Sequence, residues 1–337
     1  MAGNFVQLHN HTHYSLLDGA SKVPDLVKRV KELGITDHGN MHGAYELWRA
    51  AVDSGVKPII GIEAYVTPET ARQDKTRVSW DTNWTPVPGH ARNPDDVSGG
   101  GLITHLTMWA ENDEGLVNLI KASSVANLEG RVMRYPRMDK EVLSTYSKGV
   151  IASSGCPSGI IQTRLRLGQF DEALRAAGEF QDIFGKDNFY IELMDHGLSI
   201  ESKVTGDLLT IAKKLGAPLL ATNDSHYVME ADKDAQDAML CINSGATLDD
   251  PNRFKFEGSG YYIKSAEEMR ELFKDHPDAC DNTLEIAERC NVIFDDHEDG
   301  AFMPQFDCPE GWDETSLFLK KVEEGLEKRY DGNPPME

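Results

Sequence analysis

The sequence predicts an α/β fold with about seven strands, each followed by a helix. Two observations support this prediction: strand-like apolar runs recur along the first 245 residues, and stretches with helical spacing separate them. The first such unit is FVQLHNH (5–11) followed by VPDLVKRVKELG (23–34), in which apolar residues recur every three or four positions. Alternation of this kind indicates a parallel sheet, either open or closed into a barrel.

The same alternation continues in the later strands and helices. After a short segment before TDHG (36–39), strands are predicted at 57–66, 102–110, 149–155, 189–194 and 218–224. Helices are predicted at 44–55 and 114–126, directly after residue 155, near 200–215 and near 230–243.

Two parts of the chain depart from this alternation. Residues 67–100 are rich in Pro, Asp, Asn, Gly and Thr and lack periodicity, which predicts a long surface insertion. After residue 245 the alternation stops: 248–265 predicts a loop with a short hairpin, and the remainder is helical. We therefore expect one domain at 1–245 and an extension at 246–337.

The composition limits the possible functions. The net charge is −22, from 34 Lys and Arg against 56 Asp and Glu, which argues against a chain that grips nucleic acid by itself. The five cysteines include no CxxC pair, so neither a zinc ribbon nor a redox centre is predicted. No apolar run reaches the roughly 18 residues that span a bilayer, and MAGNFVQLHNH lacks the features of a signal peptide. We expect a cytoplasmic protein without membrane contact.

Metal-capable side chains recur where the predicted strands end. In a parallel α/β fold these ends share one rim, so side chains distant in sequence converge there. The two histidines of the His-x-His pair face one side of a strand, since side chains alternate with period two. The candidates are His9, His11, Asp18, His38, Glu63, His105, Cys156, Asp224 and His226.

Each of these signals is weak by itself. A solvated strand face explains a His-x-His pair at least as often as a metal site does, and TDHG could be only a turn. Cys156 could be an inert buried thiol, and Asp224 and His226 could be a loop pair. The conjunction is informative, because unrelated causes would have to place a ligand type at each strand end. His13 has no predicted ligand role, since the loop begins at Thr12.

Six motifs together resemble a known family. They are LHNHTHYSLLDG, TDHGNMHGAYE, GIEAYV, HLTMWAENDEGLVNL, SSGCPSG and ATNDSHYV. This set resembles the successive motifs of the polymerase and histidinol phosphatase (PHP) domain, in the form that opens bacterial replicative DNA polymerase III alpha subunits. The tail motifs YYIKSAEEMRELF and NTLEIAERCNV are similar to the passage from that domain into the polymerase palm, so the resemblance covers essentially the whole chain.

The resemblance implies a fold and a metal site. The implied fold is a distorted seven-stranded (β/α) barrel with a mostly helical C-terminal extension, and the implied site holds three divalent ions of zinc, manganese or iron. The implied ligands are His9, His11, Glu63 and Asp224 for one ion, Glu63, His105 and Cys156 for a second, and Asp18, His38 and His226 for a third. Asp37 would orient an imidazole or form the turn, and His196 would contact substrate or lie at the surface as an ordinary histidine.

The resemblance also implies a reaction. Such a site hydrolyses phosphoesters, and the implied substrate is a DNA 3′ terminus, cleaved by a 3′-5′ proofreading exonuclease. The implied partners are the remainder of the polymerase alpha subunit and other replisome components. Two alternatives remain open: a catalytically silent domain that braces the polymerase, and a stand-alone small-molecule phosphatase. Because the chain ends before any palm, polymerase activity is expected only of a longer parent protein.

The second strand departs from the family pattern. The family usually has several apolar residues before TDHG, whereas VKELG here runs almost directly into ITDHG, so about half a strand is missing. Either the preceding helix ends early and donates residues to the strand, or a segment was lost. The first case weakens the placement of His38, and with it the third metal.

Overall fold

In this computed structural model the described residues are 5–30, 32–86, 93–295, 304–331 and 333. The chain divides into two compact units, Met1–Phe294 and Asp295–Glu337. The first unit therefore continues well beyond residue 245. Residues 87–92 of the predicted insertion and several residues of the predicted extension lie outside the described part.

One seven-stranded sheet forms the centre of the first unit. Its strands are β1 (Glu32–Ile35), β2 (Lys57–Val66), β3 (Thr104–Ala110), β4 (Arg137–Met138), β5 (Val150–Ser153), β6 (Phe189–Leu193) and β7 (Leu219–Ala221). Their order is β1-β2-β3-β5-β6-β7, and β4 pairs with β2. The predicted α/β architecture with about seven strands is confirmed.

The prediction of a wholly parallel sheet is wrong, because β3 runs antiparallel to both β2 and β5. A parallel return needs a crossover across the sheet, usually by a helix. The connection between β2 and β3 is the predicted insertion, whose described part contains only one four-residue helical turn. The reversed direction brings the start of β3 beside the end of β2, with His105 opposite Tyr65.

Residues 5–11, the predicted first strand, join the two edges of the sheet. On one side the Gly34 N–H donates to the Gln7 carbonyl at 2.8 Å, next to β1. On the other side the His11 N–H donates to the Ser225 carbonyl at 2.7 Å, just beyond β7. This segment therefore bridges the curled sheet in the manner that a barrel requires.

Helices pack around the sheet in the first unit. They are α1 (Val23–Arg29), α2 (Ala44–Asp53), α3 (Ser98–Gly101), α4 (Asp113–Glu129), α5 (Lys140–Thr145), α6 (Ile160–Arg166), α7 (Phe170–Phe184), α8 (Ser199–Leu215), α9 (Lys233–Ser244), α10 (Ala266–Leu272) and α11 (Pro277–Arg289). The second unit contains α12 (Glu314–Tyr330). No helix within the described ranges is both long and apolar enough to cross a membrane.

Two local predictions are settled by these bounds. The helix before TDHG ends early, at Arg29, and residues 32–35 (ELGI) form β1, so the strand takes residues from the predicted helix. The short hairpin predicted at 248–265 is wrong: these residues form turns and loops, and Tyr262 makes a single parallel bridge to Tyr227.

The interior of the sheet is apolar on the side that α11 covers. Trp109 is fully buried there, and its indole N–H donates to the Leu8 carbonyl at 3.0 Å. The Asn282 amide of α11 donates to the Leu219 carbonyl at 2.7 Å. The apolar residues that pack together in this cluster include Val6, Leu8, Ile59, Trp109, Ile151, Leu220 and Ile286.

Candidate metal centre

The nine side chains predicted at strand ends form one connected group. The segment 5–11 contributes two histidines, β2 contributes Glu63, and the others lie beside the ends of β1, β3, β5 and β7 or in the loop after residue 11. The group consists of His9, His11, Asp18, His38, Glu63, His105, Cys156, Asp224 and His226, each in contact with at least one other member.

Glu63 lies at the centre of this group and is fully buried. Its Oε1 lies 3.5 Å from His9 Nε2 and 3.1 Å from His105 Nδ1. Its Oε2 lies 3.4 Å from His11 Nε2 and 2.5 Å from His38 Nδ1. One carboxylate therefore faces four imidazoles, as a ligand that bridges two cations would.

Asp224 faces the His-x-His pair from the end of β7. Its Oδ1 lies 3.4 Å from His9 Nε2 and 3.0 Å from His11 Nε2. The backbone of Asp224 has φ 43°, in the left-handed region that Asp tolerates better than most residues. The following residue, Ser225, donates its N–H to the His9 carbonyl at 3.1 Å, so the turn and the histidine segment are held together.

The remaining members flank this centre. Asp18 Oδ2 lies 3.3 Å from His38 Nε2, and Cys156 Sγ lies 3.3 Å from His105 Nδ1. The ring of His11 stacks between those of His38 and His226, at centroid distances of 4.0 and 4.3 Å. Asp18 is the most accessible of the acidic members, with 27% of its side chain exposed, so the centre opens to solvent on that side.

Six buried atoms of the group have no hydrogen-bond partner. Several of the close approaches between nitrogen and oxygen described above therefore lack hydrogen-bond geometry, and the atoms face one another as potential ligands. These atoms are His9 Nε2, His11 Nε2, Asp18 Oδ1, His38 Nδ1, Glu63 Oε2 and Asp224 Oδ1. Buried polar groups are normally paired, so a set of unpartnered nitrogen and oxygen atoms in one place fits the ligands of bound cations.

Three subsets of the group are compact enough to bind a metal ion. In each, one ligand atom per residue lies within 4.8 Å of the others. The subsets are His9, His11 and Asp224; His38, Glu63 and His105; and His11, His38 and His226.

The protonation states of Glu63 and His11 suit metal binding. Burial raises the pKa of the Glu63 carboxyl, but His105 and His38 outweigh it and hold that pKa well below its usual range. Burial, with His38 and His226 nearby, lowers the pKa of His11 to about 3. At neutral pH Glu63 is thus a carboxylate and His11 a neutral imidazole, as ligands must be. Burial lowers the pKa of His9 and His38, but the carboxylates of Glu192 and Glu63 outweigh it and raise the pKa of both imidazoles well above its usual value, so a cation there would displace a proton. Burial raises the pKa of the Cys156 thiol, which a bound cation would reverse.

Neighbouring groups fix the rings so that one nitrogen of each faces the centre. His9 Nδ1 lies 2.7 Å from Glu192 Oε1, and His226 Nδ1 donates to the Asp224 carbonyl at 2.7 Å. His11 Nδ1 lies 3.0 Å from Ser15 Oγ, which donates to Asp37 Oδ1 at 2.7 Å. These contacts leave Nε2 of His9 and His11 with a lone pair toward the centre.

The two further residues predicted around the centre, Asp37 and His196, differ in their contacts. Asp37 orients an imidazole only through Ser15, and that imidazole is His11 rather than the adjacent His38. His196 neither lies at the surface nor faces open space, since its side chain is 1% exposed. Its Nε2 donates to the Asn223 carbonyl at 2.9 Å, and its Nδ1 lies 2.6 Å from Glu201 Oε1. It therefore braces the turn before Asp224.

Sequence reasoning missed Glu192. This residue lies in β6, is 1% exposed and contacts His9 directly. The available signal was a carboxylate inside the otherwise apolar run FYIELM, because a charged side chain is almost never buried without a partner.

Comparison with known proteins identifies relatives of the chain. The DNA polymerase III alpha subunit of Mycobacterium leprae is 49% identical over 98% of this chain, and that of Saccharopolyspora erythraea is 50% identical over 97%. The chain spans 28% of the length of each relative. Among solved structures, a putative metal-dependent phosphoesterase from Bifidobacterium adolescentis aligns over 80% of this chain and 95% of its own, with 14% identity and a TM-score of 0.36, too low to bear on function.

A family model supplies the assignment. The model of the PHP domain matches residues 7–196, which run from the segment of His9 and His11 through β6 to His196. The resemblance read from the six motifs is confirmed by this match and by the relatives. Because the matched region exceeds half of the chain, the chain belongs to the PHP domain family.

Proposed function

We propose that this chain is a metal-dependent phosphodiesterase that acts as a 3′-5′ proofreading exonuclease within a DNA polymerase III alpha subunit. The observation that carries the proposal is the set of six buried, unpartnered nitrogen and oxygen atoms that converge around Glu63. None of these atoms has a hydrogen-bond partner as the side chains stand, whereas divalent cations between them would satisfy them together.

Three ions are proposed, held by residues of this chain. His9, His11, Glu63 and Asp224 would hold the first, Glu63, His105 and Cys156 the second, and Asp18, His38 and His226 the third. Imidazole and carboxylate ligands with one thiolate suit zinc, manganese or iron better than magnesium, which prefers oxygen ligands.

Bound there, such ions would supply the chemistry of phosphoester hydrolysis, since they would clamp phosphoryl oxygens and lower the pKa of water to near 7. The chain itself prepares the site. Glu192 and Ser15 fix the rings of His9 and His11, and burial of Glu63 keeps bulk water from competing for its oxygens. The more exposed Asp18 marks the side from which a substrate phosphate enters.

The substrate class and the partner are inferred from the relatives. Two relatives that share about half of their aligned residues with this chain are DNA polymerase III alpha subunits, in which the aligned region is 28% of the length. This supports a DNA 3′ terminus as substrate, the remainder of an alpha subunit and its replisome as partners, and a role for residues 246–337 as the passage into a polymerase palm.

The test uses the purified chain with Mn²⁺ or Zn²⁺ and a primer whose 3′ end is mismatched. We expect progressive shortening of the primer, lost in His11→Ala because that imidazole contacts both Glu63 and Asp224. His42→Ala is the matched control, since His42 is exposed and lies outside the group. The lengths of the products are read on a denaturing gel.

Metal analysis of the same preparation distinguishes the exonuclease from the two alternatives. If the chain carries less than one ion and the primer stays intact, the domain is a catalytically silent brace for a polymerase, and the proposal fails. If a small phosphomonoester is hydrolysed while the primer stays intact, the chain is a small-molecule phosphatase.

A further inference from the structure

A cavity of about 480 Å³ lies between α9 and the loop 253–261. Its wall includes Lys233, Gln236, Arg253, Lys255, Phe256 and Tyr261. A volume of this size suits a single nucleotide unit, since ligand sites in proteins span roughly 300–1,000 Å³. None of these six residues is a proposed metal ligand.

The cavity shares a wall with the proposed metal centre. The Gln236 side-chain amide donates to the Asp18 carbonyl at 3.0 Å. The ring of Phe256 meets that of His226 edge-on, with centroids 4.6 Å apart, and the His226 N–H donates to the Tyr261 carbonyl at 2.8 Å. A ligand in the cavity would therefore be separated from Asp18 and His226 by a single side chain, that of Gln236 or of Phe256.

The wall offers aromatic surface for stacking. Phe256 is half-buried, and its ring lies 4.9 Å from that of Tyr261, which holds it from one side. Phe254, with 59% of its surface exposed, lies 6.0 Å from Phe256 at a right angle. Base–aromatic stacking is the usual contact of proteins that bind single-stranded nucleic acid without sequence preference.

The wall is also locally basic in a chain with a net charge of −22. Arg253 and Asp237 form a two-bonded ion pair, with distances of 2.5 and 2.6 Å, and neutralise each other. Lys233 and Lys255 are exposed, and neither forms a hydrogen bond or close ion pair with another described residue. Against them the cavity has one further acid, Glu257, so a positive charge remains for a phosphate.

Gln236 adds a polar contact inside the cavity. Its side chain is 2% exposed, its amide nitrogen is used by Asp18, and its Oε1 has no partner within the described part of the chain. A buried carbonyl oxygen without a donor is costly, so it suits a ligand N–H or hydroxyl.

We propose that this cavity binds the nucleotide next to the scissile phosphodiester of single-stranded DNA, with its base against Phe256 and its phosphates near Lys233 and Lys255. The proposal rests on the proposed function for its choice of ligand. It explains how a strongly acidic chain positions a DNA end: the strand contacts a small basic aromatic site beside the metal centre instead of a broad basic surface.

The test measures binding without cleavage. The probe is 5′-fluorescein-dT12 with phosphorothioate linkages at its 3′ end, titrated with the full chain in Mn²⁺ and followed by fluorescence anisotropy at several salt concentrations. Lys233→Ala with Lys255→Ala should weaken binding about tenfold and lower the salt slope by about 1.4, since each lost phosphate contact on a single strand removes about 0.7. Phe256→Leu should weaken binding about fivefold or more, because it keeps apolar bulk beside His226 and removes the flat ring.

Matched controls are Lys213→Ala, an exposed lysine near the end of α8, and Phe318→Leu, an exposed phenylalanine on α12. Both should bind within twofold of the unaltered chain. Equal affinities and salt slopes for the control and cavity variants would overturn the proposal. Urea unfolding midpoints identify any variant that fails to fold. If one cavity variant does not fold, the binding of the other cavity variant decides. The result is separable from the exonuclease test, because an unaltered chain that binds the probe but leaves a primer intact loses only the proposed reaction.

Discussion

The Glu192 carboxylate determines how the ring of His9 presents its nitrogens. Both residues are buried, and the carboxylate is itself held by the hydroxyls of Ser153 and Thr222, each at 2.5 Å. A carboxylate that accepts from Nδ1–H makes Nε2 the free nitrogen and increases its basicity. At the scale of single residues, the strength of the proposed first ion site thus depends on a residue that is not a ligand.

Glu192→Gln should weaken metal binding with little change in shape. Gln can still accept the His9 proton but lacks the charge that makes Nε2 a stronger ligand, so we expect a loss of about 10- to 100-fold in affinity for the tightest ion. Competition with a fluorescent chelator measures this. Glu288→Gln, an exposed position on α11, is the control. Unchanged affinity in Glu192→Gln would remove Glu192 from the site.

At the scale of elements, apolar periodicity predicted where the strands lie along the chain better than the direction in which they run in the sheet. Strand β2 coincides with the predicted run, Lys57–Val66, because a strand buried on both faces is a continuous apolar stretch. The reversal of β3 was not predictable, since periodicity is the same whichever way a strand runs. Yet the reversal is what brings His105, near the start of its strand, beside the end of β2.

The boundary between α1 and β1 shows a tertiary contact overriding local pattern. Helical spacing continues through Val30 and Leu33, but the helix ends at Arg29 and Leu33 pairs with Gln7 and Pro58. Strand pairing with two neighbours outweighs a weak helical preference of a few residues. Most candidate metal ligands were predictable because they stand in polar motifs at the ends of apolar runs. Glu63 and Glu192 each stand inside such a run, and Glu192 was missed.

A substitution at Gly34 tests how closely β1 must approach the segment 5–11. A Cβ at Gly34 would lie 2.6 Å from the Leu8 carbonyl oxygen, a backbone atom that cannot move without shifting His9. Gly34→Ala should therefore destabilise the chain by roughly 1–3 kcal/mol in urea unfolding. Gly206→Ala, in the exposed middle of α8 with nothing near the added methyl, should instead stabilise it by about 0.5–1 kcal/mol. Equal effects of the two changes would contradict the close approach.

At the scale of the first compact unit, the candidate centre ties together elements that are far apart in sequence. His9 and His11 lie on the segment that joins β1 to the end of β7, while Asp224 and His226 follow β7 and Glu63 lies in β2. Without cations, six buried nitrogen and oxygen atoms of this centre have no hydrogen-bond partner. Bound cations would give these atoms shared partners and stabilise the folded state by linkage.

Metal removal should therefore loosen the curled sheet as well as abolish activity. Free Mn²⁺ at 100 times its dissociation constant adds about 2.7 kcal/mol to stability, which raises the melting temperature on the order of 5 °C in a unit of this size. Calorimetry with Mn²⁺ and with EDTA measures the shift in melting temperature. Hydrogen exchange at residues 9–11 and 222–226 should be faster in EDTA, whereas α8 keeps its protection. Asp224→Asn should lose most of the Mn²⁺-dependent rise, because Asp224 Oδ1 faces both His9 and His11. The same melting temperature in Mn²⁺ and EDTA would mean that hydrogen bonds alone hold the sheet closed and that the unpartnered atoms bind no cation.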